Sequence, residues 1–127
     1  MTNREHLKQL CRTHNVRQIT EKKVKKTYGV VMGEHDRAIA FPIDRKICSM
    51  ESPGSDVGYF GLLHEIGHIV LNHRHSQSFF DRIVLGPDDN EIRMEEEAWE
   101  WAFANAWKFP SSRIIEEMMN SLLTYCW

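Results

Sequence analysis

One stretch of this chain decides the expected fold, and it runs Leu62-Leu63-His64-Glu65-Ile66-Gly67-His68-Ile69-Val70. Its apolar residues recur at the spacing of one helix face over about three turns, which predicts an amphipathic helix. Two histidines four residues apart lie one above the other on such a helix, so both imidazoles can reach one zinc ion at about 2.0–2.1 Å. The stretch therefore predicts a helix that carries part of a metal site.

Glu65 follows the first of these histidines and has a different expected role. It is offset around the helix from His64, so it does not complete the same ligand set, but it lies beside the position of a metal-bound water. Zinc lowers the pKa of its bound water toward roughly 7, and a neighbouring carboxylate can accept the proton as that water attacks a carbonyl carbon. We expect Glu65 to act as a general base.

The histidines that follow this helix do not supply a third ligand in a known register. In the metzincin pattern a third histidine stands six residues after the second one, and here that position is Arg74. His73 and His75 miss the register by one residue on either side. We expect these two histidines to be solvated or to lie behind the metal ligands.

A second long helix is the expected source of the third ligand. Asp88 or Asp89 can cap this helix, which is predicted to run toward Phe109 and to stop at Pro110. It carries three consecutive glutamates whose side chains point about 100° apart, so only one of them can face the metal squarely. These glutamates are Glu95-Glu96-Glu97.

Glu95 is the preferred ligand among the three. The positions three, seven and eleven residues after it are all alanine, and such small residues allow the helix to lie close against the metal-bearing helix. The face below Glu96 is bulkier and partly charged. Glu96 is therefore the alternative ligand, and Glu97 also remains open.

The other elements indicate a single α+β domain of residues 1–127. A hairpin makes its two strands antiparallel neighbours, so we expect a small antiparallel sheet together with helices. The expected elements are a helix over 3–14, a strand over 16–24, strands over 28–32 and 38–41 joined by a turn at 33–36, and a last helix over 113–124 capped by Ser111 or Ser112.

Composition limits the classes of function. With 127 residues, 42% hydrophobic and 27% charged, the chain fits one globular domain. Sixteen basic against 18 acidic residues give a net charge of −2, so we expect no direct binding to nucleic acid. No apolar run reaches the roughly 20 residues of a membrane span, so we expect a cytoplasmic protein without a membrane contact. Three widely spaced cysteines without a Cys-x-x-Cys pair predict reduced thiols.

Two blocks of the sequence resemble the ImmA/IrrE family of intracellular zinc metallopeptidases. They are Phe60–His73 and Glu95–Ala102. Members of that family pair a helix with the pattern L-x-H-E-x-G-H-x-x-x-H and a later helix with the pattern E-x-E-A-x-x-F-A. This chain differs at Trp99, where the family often has Asn or Asp.

The resemblance implies a ligand set and a fold. His64 and His68 correspond to zinc ligands, Glu65 to the general base, and Glu95, the first carboxylate of the later motif, to the third protein ligand. The implied fold is a minimal zincin, in which a small antiparallel sheet packs on the active-site helix, with flanking helices.

The resemblance also implies limited proteolysis of a cytosolic regulatory protein, with Zn²⁺ as cofactor. Many relatives act beside a helix-turn-helix regulator, so the expected partner is a separately encoded DNA-binding repressor. The apolar segment 79–85 is a candidate wall or lid of the cleft. Two alternatives stay open: a catalytically inactive, zinc-stabilised module that binds a partner, and a metal-free interaction protein.

Overall fold

A computed structural model describes residues 1–33, 37–73 and 89–123, and in them the chain is α+β. The element at the centre is the helix that carries the two histidines, because it contacts helices and strands from both ends of the chain. The described elements are α1 (Asn3–His14), β1 (Arg17–Gln18), α2 (Glu21–Tyr28), β2 (Ala38–Phe41), β3 (Lys46–Ser49), α3 (Asp56–Val70), α4 (Asp89–Asn105) and α5 (Ser112–Leu123).

α3 forms the middle of the hydrophobic core, as its apolar spacing predicts. Leu63 and Ile66 have no exposed surface, and burying each such side chain contributes about 1.5–3 kcal/mol. The helix begins after Ser55, whose hydroxyl accepts a hydrogen bond from the Gly58 N–H at 3.1 Å. A side chain at Gly58 would meet the Ser52 carbonyl oxygen at 2.0 Å, so only glycine fits where the preceding loop crosses the first turn.

The sheet is mixed, and the prediction of an antiparallel sheet is therefore wrong in part. β2 and β3 form an antiparallel hairpin in which Ala38 pairs with Ser49, whereas β1 pairs with β3 in parallel, which gives the order β1-β3-β2. The hairpin turn includes Arg45 in the left-handed region, with φ 54°. The Arg45 guanidinium also donates to the Asn15 carbonyl at 3.1 Å, which ties the turn to the end of α1.

One predicted strand is wrong and another, over 16–24, is confirmed only at β1 (Arg17–Gln18), for a local reason. Residues 21–28 form α2 rather than part of a strand over 16–24, because Thr20 caps the helix by accepting from the Lys23 N–H at 3.2 Å. Gly29 closes the helix in the left-handed region, at φ 69°, so 28–32 does not become a strand. The hairpin partner of β2 is β3. The predicted turn residues 34–36 lie outside the described residues.

The later helices agree with the predictions apart from their ends. α4 stops at Asn105 rather than near Phe109, because the chain turns there and the Trp107 N–H donates to the Tyr59 hydroxyl at 3.1 Å. Ser111 accepts from the Ile114 N–H at 3.4 Å at the start of α5. The segment 79–85 and the candidate cap Asp88 lie outside the described residues. In the ranges 1–33, 37–73 and 89–123, no helix has the length and apolar character that crossing a membrane requires.

A buried amide holds three parts of the chain together. Asn3, which is 7% exposed, donates to Asp56 Oδ1 and to the Gly54 carbonyl, both at 3.0 Å, and accepts from Trp107 Nε1 at 2.8 Å. Lys108 also pairs with Asp56 at 2.6 Å. The hydrogen bonds of Lys108 and Asn3 hold the pKa of Asp56 below its usual value. This network fixes α1 and the chain after α4 against the start of α3.

Replacing Asn3 tests this anchor. Asn3→Ala is expected to lower the free energy of unfolding by about 1–3 kcal/mol, because it leaves the Trp107 indole N–H and the Gly54 carbonyl without their partner. Urea denaturation followed by circular dichroism measures the change. Asn120→Ala, at an exposed position of α5, is the control and should stay within about 0.5 kcal/mol of the wild type. Equal stabilities of the two variants would contradict the anchoring role.

Candidate metal centre

Two histidines on one face of α3 form the first part of the site. His64 and His68 are one turn apart, and their ring centroids are 4.6 Å from each other. His64 is only 7% exposed, and its Nε2 atom faces α4. The helical spacing therefore places both imidazoles at one point of the interface between α3 and α4.

α4 approaches α3 unusually closely, and Gly67 permits this approach. A side-chain carbon at Gly67 would lie 2.9 Å from the Ala98 carbonyl oxygen, so the two backbones leave no room for it. Ala98 and Ala102 are fully buried in the same contact. The face of small residues predicted after Glu95 is thus the face that packs, and it brings Glu95 to the histidines.

The carboxylate of Glu95 joins the two imidazoles. Its Oε2 lies 2.8 Å from His64 Nε2, and its Oε1 lies 3.2 Å from His68 Nε2. Two ligand atoms of a tetrahedral zinc ion, each at about 2.0–2.1 Å from the metal, stand about 3.3 Å apart. The two imidazole–carboxylate distances therefore lie close to this ligand spacing, and together the three side chains could hold a metal ion.

Burial and pairing set the charges of this group. Burial alone lowers the pKa of His64, but the hydrogen bonds and charges of Glu65 and Glu95 outweigh it and raise that pKa to about 9. Burial alone raises the pKa of Glu95, but hydrogen bonds from His64 and His68 hold that pKa far below its usual range. Glu95 is thus ionised at neutral pH, as a metal ligand must be.

Glu65 lies beside the three candidate ligands without belonging to the group. It is 8% exposed, and its Oε1 is 3.4 Å from His64 Nδ1. It lines a cleft of about 390 Å³ together with His64 and Glu95. The cleft runs between β2 and α5, with Ala38 on one side and Ile114 on the other. The cleft is therefore lined both by candidate ligands and by Glu65, a carboxylate outside the candidate ligand set.

The neighbouring carboxylates and histidines occupy other positions. The Glu96 side chain is exposed to solvent. Glu97 pairs instead with His73, with 3.0 Å between its Oε2 and the ring Nε2. His73 thus lies behind the candidate ligands, which is one of the two places predicted for it. His75 lies outside the described residues.

Sequence reasoning missed how one residue contacts the histidines. Trp99 stacks on the His64 ring with 4.3 Å between centroids and an angle of 19°. Its position one turn after Glu95 was the available signal. His73 Nδ1 lies 2.9 Å from His68 Nδ1, and burial lowers the pKa of His73, which favours its neutral ring. Both histidines of the candidate site are therefore held by residues outside the ligand set.

Comparisons of this chain with family models, curated proteins and solved structures found no match in any of the three. The likeness to the ImmA/IrrE family therefore stays a resemblance carried by two short motifs. The spatial grouping of His64, His68 and Glu95 is an independent, geometric observation, because it depends on how α3 and α4 pack.

Exchanging neighbouring glutamates tests which one binds metal. We expect the wild type to take up about one metal ion per chain and Glu95→Gln to take up at least tenfold less, because the substitution removes the charged candidate ligand between the two imidazoles. Plasma mass spectrometry after zinc loading and gel filtration measures the content. Glu96→Gln, the adjacent exposed position, is the matched control and should bind as the wild type does. Loss of zinc from Glu96→Gln with retention in Glu95→Gln would reverse the assignment.

Proposed function

We propose that this protein is a zinc-dependent endopeptidase that cleaves a peptide bond with a metal-activated water. The observation that carries the proposal is the grouping of two imidazoles and one buried carboxylate at a cleft that a separate glutamate also lines. The ligand candidates are His64, His68 and Glu95, and the separate glutamate is Glu65. This separation of ligands from base is what hydrolysis at a metal centre requires.

The donor set favours zinc at a catalytic rather than a structural site. Two histidine nitrogens and a carboxylate oxygen suit zinc, and three protein ligands leave the fourth position for water. Structural zinc sites are closed by four protein ligands, commonly cysteines. The buried Cys48 packs in a different cluster, with Val24 and Met32, and so offers no sulfur to this site. Within residues 1–33, 37–73 and 89–123 the group has three members, so an open three-ligand centre accounts best for it.

The residues of the chain have distinct roles in this mechanism. Zinc, when bound by His64, His68 and Glu95, supplies a Lewis acid that polarises the scissile carbonyl and acidifies a water. Glu65 accepts the proton from the attacking water and delivers it to the leaving amine nitrogen. Trp99 covers one face of the His64 ring, which keeps bulk water from that side of the ligand. The cleft between β2 and α5 receives the substrate chain.

The resemblance to the ImmA/IrrE family supports the more specific part of the proposal. In that family the substrate class is a cytosolic regulatory protein, so we infer a separately encoded DNA-binding repressor as the substrate and a cytoplasmic site of action. Ser49 and Glu117 are among the polar residues that line the cleft.

A single amide substitution tests the base and separates catalysis from binding. Glu65→Gln is expected to keep its zinc and to cleave about 10²–10⁴-fold more slowly, because an amide cannot accept the proton of the attacking water. The rate is measured by mass spectrometry on a proteome-derived peptide library, together with the zinc content. Glu116→Gln, an exposed position of α5, is the control and should cleave at the wild-type rate.

Three other results of these measurements would each contradict part of the proposed function. Full activity of Glu65→Gln would contradict the role of Glu65 as base. Zinc-loaded wild type that leaves every peptide and every repressor substrate intact would favour the inactive partner-binding module. A wild type that binds no zinc at all would favour a metal-free interaction protein.

A further inference from the structure

A second pair of side chains lies behind the candidate ligands, on the side away from the cleft. His73 Nδ1 is 2.9 Å from His68 Nδ1, and His73 Nε2 is 3.0 Å from Glu97 Oε2. On its other edge, His68 directs Nε2 toward Glu95 Oε1 at 3.2 Å. Glu97, His73, His68 and Glu95 thus form one continuous row of hydrogen-bonding atoms.

The end of α3 places His73 in this row. The His73 N–H donates to the His68 carbonyl at 2.9 Å, and the Asn72 N–H donates to the Ile69 carbonyl at 3.1 Å, which together form a Schellman motif. Asn72 adopts the left-handed conformation that this motif requires, with φ 56°. Asparagine tolerates that conformation better than most residues. The chain therefore turns back on itself and sets the His73 ring against the His68 ring.

The order of donors and acceptors in the row follows from its carboxylate end. A carboxylate only accepts hydrogen bonds, so the His73 Nε2 that faces Glu97 carries a proton. In a neutral ring the other nitrogen then accepts, so His73 Nδ1 takes a hydrogen bond from the Nδ1–H of His68. Glu95 likewise accepts from His68 Nε2, and a metal ion bound at that atom would take the place of this proton and leave His68 protonated on Nδ1 alone.

We propose that Glu97 and His73 are positioning residues that hold His68 in the tautomer and ring orientation needed to bind a metal through Nε2. This role rests on the proposed metal site, because it assigns the metal to His68 Nε2. The His73 side chain is 9% exposed, so water competes little for its hydrogen bonds, whereas Glu97 is 45% exposed at the outer end. Residues that orient a ligating histidine in this way typically change metal affinity by about 10–100-fold.

The tautomer can be measured directly in the wild-type protein. Nitrogen-15 NMR of histidine-labelled protein distinguishes protonated from bare ring nitrogens. The expected result is a protonated Nδ1 on His68 and a protonated Nε2 with a bare Nδ1 on His73, before and after zinc is added. A protonated Nδ1 on His73 facing a bare Nδ1 on His68 would overturn the proposal without any mutation.

Two substitutions at one position test the consequence for metal binding. His73→Leu is expected to weaken zinc binding about 10–100-fold in competition with a chromogenic chelator, because the acceptor for His68 Nδ1–H is lost. His73→Gln is expected to recover most of that loss, since its amide oxygen accepts from His68 and its amide nitrogen donates to Glu97. Unchanged zinc affinity in His73→Leu, or equal weakening in both variants, would overturn the proposal.

The proposal can still be tested if His73→Leu does not fold or if the protein binds no zinc. Glu97→Ala removes only the half-exposed end of the row, so it is the second variant if His73→Leu does not fold, and it should weaken zinc binding in the same direction. Glu96→Gln is the matched control for charge and should leave zinc affinity unchanged. If the wild type binds no zinc, the proposed function fails, and the NMR assignment still decides the tautomers on its own.

Discussion

The close approach of α3 and α4 at Gly67 is the constraint on which the candidate metal centre depends. A glycine inside a helix costs about 0.5–1 kcal/mol relative to alanine, yet an added side-chain carbon here would meet the Ala98 carbonyl oxygen at 2.9 Å. The absence of that carbon lets Glu95, one turn before Ala98, come within 2.8 Å of His64 Nε2. A wider separation of the two helices would leave His64 and His68 without their carboxylate.

This arrangement places a charged cluster in the interior of a small domain. Removing a carboxylate and an imidazole from water is costly, and their mutual attraction repays that cost only in good geometry. Here Glu95 is paired with both histidines, Trp99 covers His64, and His73 holds His68 from behind. Ionisable groups with strongly shifted pKa values in a cleft are candidates for a functional site, and this group could hold a metal ion.

The parts of the fold that the sequence predicts correctly are those governed by local periodicity. α3 follows from its apolar spacing and α4 from its start and stop signals, and the small residues after Glu95 indicate which glutamate faces the histidines. The prediction of the sheet is wrong because β1 pairs with β3, and these two strands are distant in the sequence. The prediction of a strand in place of α2 is wrong because Val24 is the only fully buried side chain of this helix. The residues that indicate α2 are its caps, Thr20 and Gly29. The contact of His73 with His68 needs a chain reversal that spacing alone does not show.

The most direct test of the account is zinc K-edge X-ray absorption on the zinc-loaded protein, because it reports the ligand atoms themselves. The account predicts only nitrogen and oxygen neighbours at about 2.0–2.1 Å, with the outer-shell scattering of two imidazoles from His64 and His68. A sulfur shell at about 2.3 Å, or a spectrum without imidazole scattering, would contradict the ligand set and with it the proposed chemistry.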